Sequence, residues 1–251
     1  MRKLRLMKIL KKALAVLLIL ILLTAGGLAV YFGNGNPADQ NARNAIEHPV
    51  AGLTVDSTKD GQIVFMPNEA TQIGIVFYPG AKVCYDAYAE LAERLALNGY
   101  MCVLVDMPLN LAILNENATD DVIHRFPDIT QWYLCGHSMG GLAATNYCWK
   151  HQDSLRGLIV LASRIKRDFS ASDIPVLLIS ATEDGICTPE LLASNETPDP
   201  AIFTHIVIVG GCHGYFGSYG HQKHDGIPTI SRDEQLDQTA ASIRGFIENT
   251  I

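Results

Sequence analysis

The chain has no low-complexity tract, no internal repeat, and no CxxC or Cys/His spacing of the kind that holds zinc. Those gaps exclude a solenoid and a small metal-stabilised module, and no metal or other cofactor is expected. Charged residues make up only 18% of the chain and the net charge is −7. Nucleic acid is therefore a poor partner, because phosphate binding needs a concentrated positive surface. The six cysteines do not form an evident disulfide framework. Cys102 sits inside the apolar run Tyr100 to Val105 and Cys135 ends another strand, so both read as small core residues.

What is present begins with a basic stretch over residues 1–12, followed by uncharged residues from Ala13 to Phe32. Twenty helical residues span about 30 Å, enough to cross a bilayer, and the flanking Lys and Arg residues favour the cytoplasmic side. The expectation is a single-pass anchor in the cell membrane over 13–32, with the remainder outside the cytoplasm. The competing reading is a signal peptide cleaved after the small residues Thr24-Ala25-Gly26-Gly27, giving a secreted protein. Residues 33–50, rich in Asn, Gly and Ala, read as a linker, and 51–251 as one globular domain.

Within that domain apolar strands alternate with amphipathic helices. Strands are expected at Gln62 to Met66, Ile73 to Tyr78, Tyr100 to Asp106, Gln131 to Cys135, Gly157 to Ala162, Val176 to Ser180 and His205 to Val209. Helices are expected at Tyr85 to Asn98, Ala118 to Arg125, Met139 to His151, Pro189 to Ala193 and Ser231 to Glu248. The last opens on a Ser-x-x-Glu capping box, Ser231 and Glu234. This order implies an α/β fold with a mostly parallel sheet covered on both faces, and a ligand site beyond the carboxyl ends of the strands.

The sharpest local feature lies at such an end: Gly136-His137-Ser138-Met139-Gly140, between an apolar strand and an apolar helix. Glycines flanking a strand-to-helix turn let the backbones cross and present the serine hydroxyl. A serine nucleophile needs a base oriented by a carboxylate. Asp184, in Thr182-Glu183-Asp184-Gly185 after one strand, is the preferred acid over Glu183, because the shorter side chain suits a fixed hydrogen bond. Of eight histidines, His213 alone follows the last strand directly. The oxyanion donors are expected to be the backbone N–H groups of Met139 and, from the loop Tyr78-Pro79-Gly80-Ala81-Lys82, of Ala81.

The serine turn, the Ser–Asp–His order and the Tyr-Pro-Gly loop resemble the α/β-hydrolase fold. Phe77 to Gly80, Met107 to Ala112 and Gly210 to Gly220 resemble, more closely, small bacterial membrane-anchored α/β-hydrolases, over about Gly52 to the end. The resemblance implies a triad of Ser138, Asp184 and His213. The chain departs from it at Cys212, where relatives tend to carry Asn, and at Ala81, where they tend to carry Gly. The interval Ser163 to Asp173 is too short for a lid domain, so the loop Gly214 to Thr229, with Tyr215, Phe216 and Tyr219, is expected to wall the pocket. These readings point to a small-molecule ester as substrate. Acyl transfer, peptide hydrolysis or a silent binding module are alternatives that use the same scaffold, and oligomeric state is not legible.

Overall fold

The computed structural model describes residues 2–57, 61–194 and 197–250. The chain divides into two units, one ending at Asn34 and the other running from Gly35.

The first unit is a single helix, α1 (Arg2–Gly33). Its segment Leu10–Gly33 contains an 18-residue window of mean hydropathy 2.8 and is long and apolar enough to cross a membrane by length and composition. The side chains from Leu14 to Leu23 are exposed in the structure, unlike those of a core helix.

The second unit is built on an eight-stranded sheet: β1 (Leu53–Ser57), β2 (Gln62–Pro67), β3 (Ile73–Tyr78), β4 (Met101–Val105), β5 (Gln131–His137), β6 (Gly157–Leu161), β7 (Val176–Ala181) and β8 (Phe203–Ile208). The spatial order is β1-β2-β4-β3-β5-β6-β7-β8. β1 and β2 pair antiparallel, as do β2 and β4, and every later pair is parallel. The sheet is mostly parallel, as the alternation of strands and helices predicts. Successive residues in its strands feed opposite cores. Ile75 and Phe77 pack beneath α3 (Ala89–Leu97) and α7 (Arg232–Glu248), whereas Val76 and Tyr78 pack beneath α4 (Ala118–Arg125) and α5 (Met139–Lys150). Because both faces are covered, the central strands are apolar throughout.

Strand β1 escapes the sequence pattern because only Leu53 is buried on it; it is an outer strand bonded on one side to β2. The stretch expected as a linker, 33–50, carries α2 (Gln40–Glu47). Asp39 caps it by accepting the N–H groups of Asn41 and Ala42, and the small side chains of Ala38, Ala42 and Ala45 are buried against the domain. The expected helix from Tyr85 divides into a short 3-10 turn, Tyr85–Tyr88, and α3. At the start of α7 the Ser231 hydroxyl accepts the Glu234 N–H at 3.1 Å, which is half of the expected capping box. All six cysteines are free.

Candidate active site

β5 and α5 meet at Ser138, whose backbone has φ 54° and ψ −120°. That conformation is rare for a residue with a Cβ atom and costs on the order of 1–3 kcal/mol. The surroundings enforce it. The Ser138 N–H donates to the Leu161 carbonyl at 2.9 Å, and a Cβ at Gly136 would overlap the Gly140 carbonyl. A Cβ at Gly140 would overlap the Tyr78 carbonyl in turn, so the turn closes only with glycine at both positions. Ser138 is partly exposed at this corner.

Two further turns reach the same end of the sheet. Beyond β7, Asp184 is buried, and its Oδ1 accepts the N–H groups of Ile186 and Cys187 at 2.8 and 2.6 Å. Its Oδ2 lies 2.8 Å from Nδ1 of His213, beyond β8. The adjacent Glu183 turns elsewhere and accepts the Thr182 hydroxyl. His213 is fully buried, and its ring contacts that of His137, the residue before Ser138, at 4.5 Å between centroids and an interplanar angle of 48°. Nε2 of His213 has no hydrogen-bond partner among the described residues. With Nδ1–H given to a carboxylate, Nε2 is the lone-pair nitrogen, the form a general base requires. The structure thus brings Asp184 onto His213 and the His213 ring onto the serine turn.

The loop after β3 is fixed from three sides. The Gly80 N–H donates to the Tyr88 hydroxyl at 2.9 Å, and that hydroxyl lies 2.8 Å from Nδ1 of His137. Since the phenol oxygen accepts from Gly80, its proton is available to His137 Nδ1. Burial, with the His213 imidazole second, holds the His137 pKa well below the usual histidine range, and the His213 backbone only partly opposes this. His137 is a neutral structural link between the serine turn and the Gly80 loop. Further along, the Lys82 N–H donates to the Asn110 carbonyl, and Cys84 donates to the Asn36 carbonyl. Leu109 and Asn110 both hold positive φ, so the segment Met107 to Ala112 serves as a bent brace for this loop. The Ala81 N–H makes no hydrogen bond among the described residues. The Met139 N–H opens α5, where no intrahelical acceptor exists.

Asp225 gave no sequence signal beyond its place in an Asp-Gly turn. Its Oδ1 accepts the N–H groups of Gly185, His213 and Gly226 at 3.2, 3.1 and 2.8 Å, and its Oδ2 accepts that of Gly214 at 2.7 Å. One carboxylate therefore ties the Asp184 turn to the His213 turn. Tyr88 was legible only as an apolar position on a helical stripe. Beside His213, burial first and the Asp225 carboxylate second push the Cys212 thiol up to about 12, so it stays protonated and poorly nucleophilic.

The loop Gly214 to Thr229 differs from expectation. Phe216 and Tyr219 are buried rather than presented to a pocket: Phe216 packs on His137 at 5.6 Å, and Tyr219 faces Tyr88 at 6.4 Å. Gly217 accommodates the Tyr219 ring, which a Cβ there would meet at 2.9 Å. Only Tyr215 of the three is partly exposed. The aromatics support the His137 and Tyr88 rings, and hydrophobic burial explains their position better than substrate contact. His221 and His224 are exposed, and His205 lies in β8 with Nε2 2.8 Å from the Ser180 hydroxyl. Among the described residues no cluster of His, Cys, Asp or Glu could hold a metal ion.

Comparison with known proteins follows the same lines. The model of the alpha/beta hydrolase family matches residues 74–237. Cutinase est2 of Thermobifida alba is 23% identical over 170 residues, covering 61% of this chain and 57% of that protein, so the match spans little more than half of the relative. Among solved structures, Est1E from Butyrivibrio proteoclasticus superposes with a TM-score of 0.57 at 14% identity, covering 80% of this chain and 99% of that one. The monoacylglycerol lipase of Paleococcus ferrophilus gives 0.51 at 15% identity, covering 69% and 94%. At these identities the structural likeness is one of fold.

Proposed function

Because the chain belongs to the alpha/beta hydrolase family, we propose that it is a serine hydrolase of carboxylic esters in which Ser138, His213 and Asp184 act in sequence. The observation that carries this reading is the 2.8 Å contact of Asp184 Oδ2 with His213 Nδ1, which leaves a buried Nε2 with no partner among the described residues, in a ring that contacts His137 beside Ser138.

His213 Nε2 takes the proton of the Ser138 hydroxyl as Oγ bonds to the ester carbonyl carbon, and the carbonyl π electrons move to oxygen. The N–H groups of Ala81 and Met139 receive that oxyanion. Collapse breaks the bond to the alcohol, which leaves with the proton from Nε2, and an acyl-enzyme remains on Ser138. Water, deprotonated by the same nitrogen, adds to the acyl carbon; collapse breaks the bond to Ser138 Oγ, which recovers the proton from Nε2, and the acid leaves. Asp184 stabilises the transient imidazolium and fixes its tautomer. Losing one oxyanion donor in such a site costs roughly 10²–10³ in rate. The esterase and lipase names of the cutinase relative and the structural neighbours favour an ester over other acyl compounds. The helix Leu10–Gly33 supports a membrane anchor, with the hydrolase domain outside the cytoplasm by the basic residues that precede it.

The test is turnover of p-nitrophenyl esters of graded chain length by the full chain in detergent, with Ser138→Ala as control. Saturable hydrolysis that Ser138→Ala abolishes is expected. Hydrolysis surviving in Ser138→Ala contradicts the assignment.

A further inference from the structure

A cavity of about 490 Å³, lined by neither Ser138, Asp184 nor His213, lies under α6 (Pro189–Ala193) and against β7 and β8. Its walls combine the apolar side chains of Ile165, Leu178, Leu192 and Phe203 with Arg164 and the Ser180–His205 pair. The size is that of a small-molecule site.

Arg164 is half-buried and, among the described residues, has no hydrogen bond or ion pair. A guanidinium on a concave wall, with no protein acceptor for its donors, is a ready partner for an anion. His205 adds no charge, since burial lowers its pKa, with Asp199 only partly opposing. Asp199, the carboxylate among the lining residues, is exposed, where solvent screens it.

The cavity also lies close to the chemistry. The Ser138 N–H is bonded to the Leu161 carbonyl, and a Cβ on Gly141, in the first turn of α5, would touch Ser163. Arg164 follows Ser163 directly, and three residues of chain from Leu161 span at most about 10 Å. On the other side, the Arg164 charge is felt at Cys187, whose N–H holds Asp184.

We propose that this cavity is the acyl-side subsite, and that it selects esters whose aliphatic acyl chain ends in a carboxylate, which Arg164 pairs. The inference rests on the ester-hydrolase reading for its link to turnover, but not for binding. In this reading the acyl chain lies on Ile165, Leu178 and Leu192, and an eight-carbon acid serves as the probe.

The experiment has two arms on the full chain in detergent. In the first, kcat/KM is measured for mono-p-nitrophenyl suberate and for p-nitrophenyl octanoate, which match in length and differ in the terminal carboxylate. Arg164→Met is expected to lower the suberate-to-octanoate ratio at least fivefold, with Arg164→Lys intermediate; partitioning into micelles cancels between variants. In the second, suberate binding to Ser138→Ala is followed by calorimetry, with and without Arg164→Met. A rise in Kd of fivefold or more is expected, and Leu192→Trp, which fills the cavity, is expected to weaken binding similarly. A ratio that changes less than fivefold while octanoate is turned over overturns the subsite and leaves the hydrolase intact. No turnover with an Arg164-dependent Kd overturns the hydrolase reading and retains the anion site. Absence of suberate binding, or a Kd indifferent to Arg164, overturns the site.

Discussion

Asp225 Oδ1 accepts the backbone N–H of His213 at 3.1 Å, and the same oxygen accepts that of Gly185, next to Asp184. The pair Asp184–His213 is thereby fixed by a second carboxylate that touches neither imidazole nitrogen. Hydrogen bonds to a charged acceptor contribute about 1.5–3 kcal/mol each. Replacing Asp225 by Asn removes the charge and sets an amide donor against backbone donors. The expected outcome is a fall in kcat of about 10- to 100-fold, from roughly 1.4 to 3 kcal/mol of lost positioning, with KM changed less than threefold. Steady-state kinetics on a p-nitrophenyl ester separates the two constants; a rise in KM alone would assign Asp225 to substrate binding.

Tyr88 couples the Gly80 loop to His137 through one hydroxyl. Tyr88→Phe leaves a buried N–H without its acceptor, at a cost of about 1–3 kcal/mol, and frees the loop that carries Ala81. We expect a fall in kcat with little change in the fluorescence of the folded state, measured by parallel kinetics and urea unfolding. Equal kcat in Tyr88→Phe and wild type would show that the loop holds its place without the phenol.

The buried, neutral His137 makes a definite pH prediction. Its folded-state pKa lies well below the unfolded value of about 6.5. Above that value both states are neutral and His137 adds no pH dependence. As pH falls below it, the unfolded chain takes up a proton that the folded chain refuses, and stability falls by about 1.4 kcal/mol per pH unit until the folded pKa is reached. His137→Gln keeps an acceptor for the Tyr88 hydroxyl and removes the titration. Urea unfolding between pH 7.5 and about 5 is therefore expected to show a steeper acid loss in wild type than in the variant. Parallel curves would contradict a neutral His137.

Ser138 carries backbone strain that glycine would not feel. Ser138→Gly is expected to raise unfolding stability by about 1 kcal/mol while abolishing hydrolysis. Equilibrium denaturation at neutral pH checks the first effect, and loss of stability in the variant would mean that the hydroxyl contributes more to folding than the turn costs.

Much of this was legible in the amino-acid order because the signals are local. The apolar runs of β3 to β7 follow from burial on both faces, and Gly136 and Gly140 flank Ser138 because the turn cannot close otherwise. The preference for Asp184 over Glu183 rested on side-chain length, and it is Asp184 that contacts His213. What escaped depends on contacts between distant segments. Asp225 acts through backbone N–H groups of two other turns, and Tyr88 through a loop eight residues earlier; neither leaves a periodic trace. Phe216 and Tyr219 misled for a related reason, since an aromatic in a glycine-rich loop reads as a pocket wall until the fold shows it packed behind His137 and Tyr88. Helix α2 was hidden by its small residues, which gave the composition of a linker although Ala42 and Ala45 are buried.

If Ser138 is the hydroxyl that His213 makes nucleophilic, a fluorophosphonate added to the full chain reacts there, and peptide mass spectrometry locates the adduct in wild type, His213→Gln and Ser138→Ala. A single phosphonylated residue is expected, Ser138, labelled far more slowly in His213→Gln and not at all in Ser138→Ala. An adduct on another side chain, or labelling of Ser138 at the same rate without His213, would contradict that assignment.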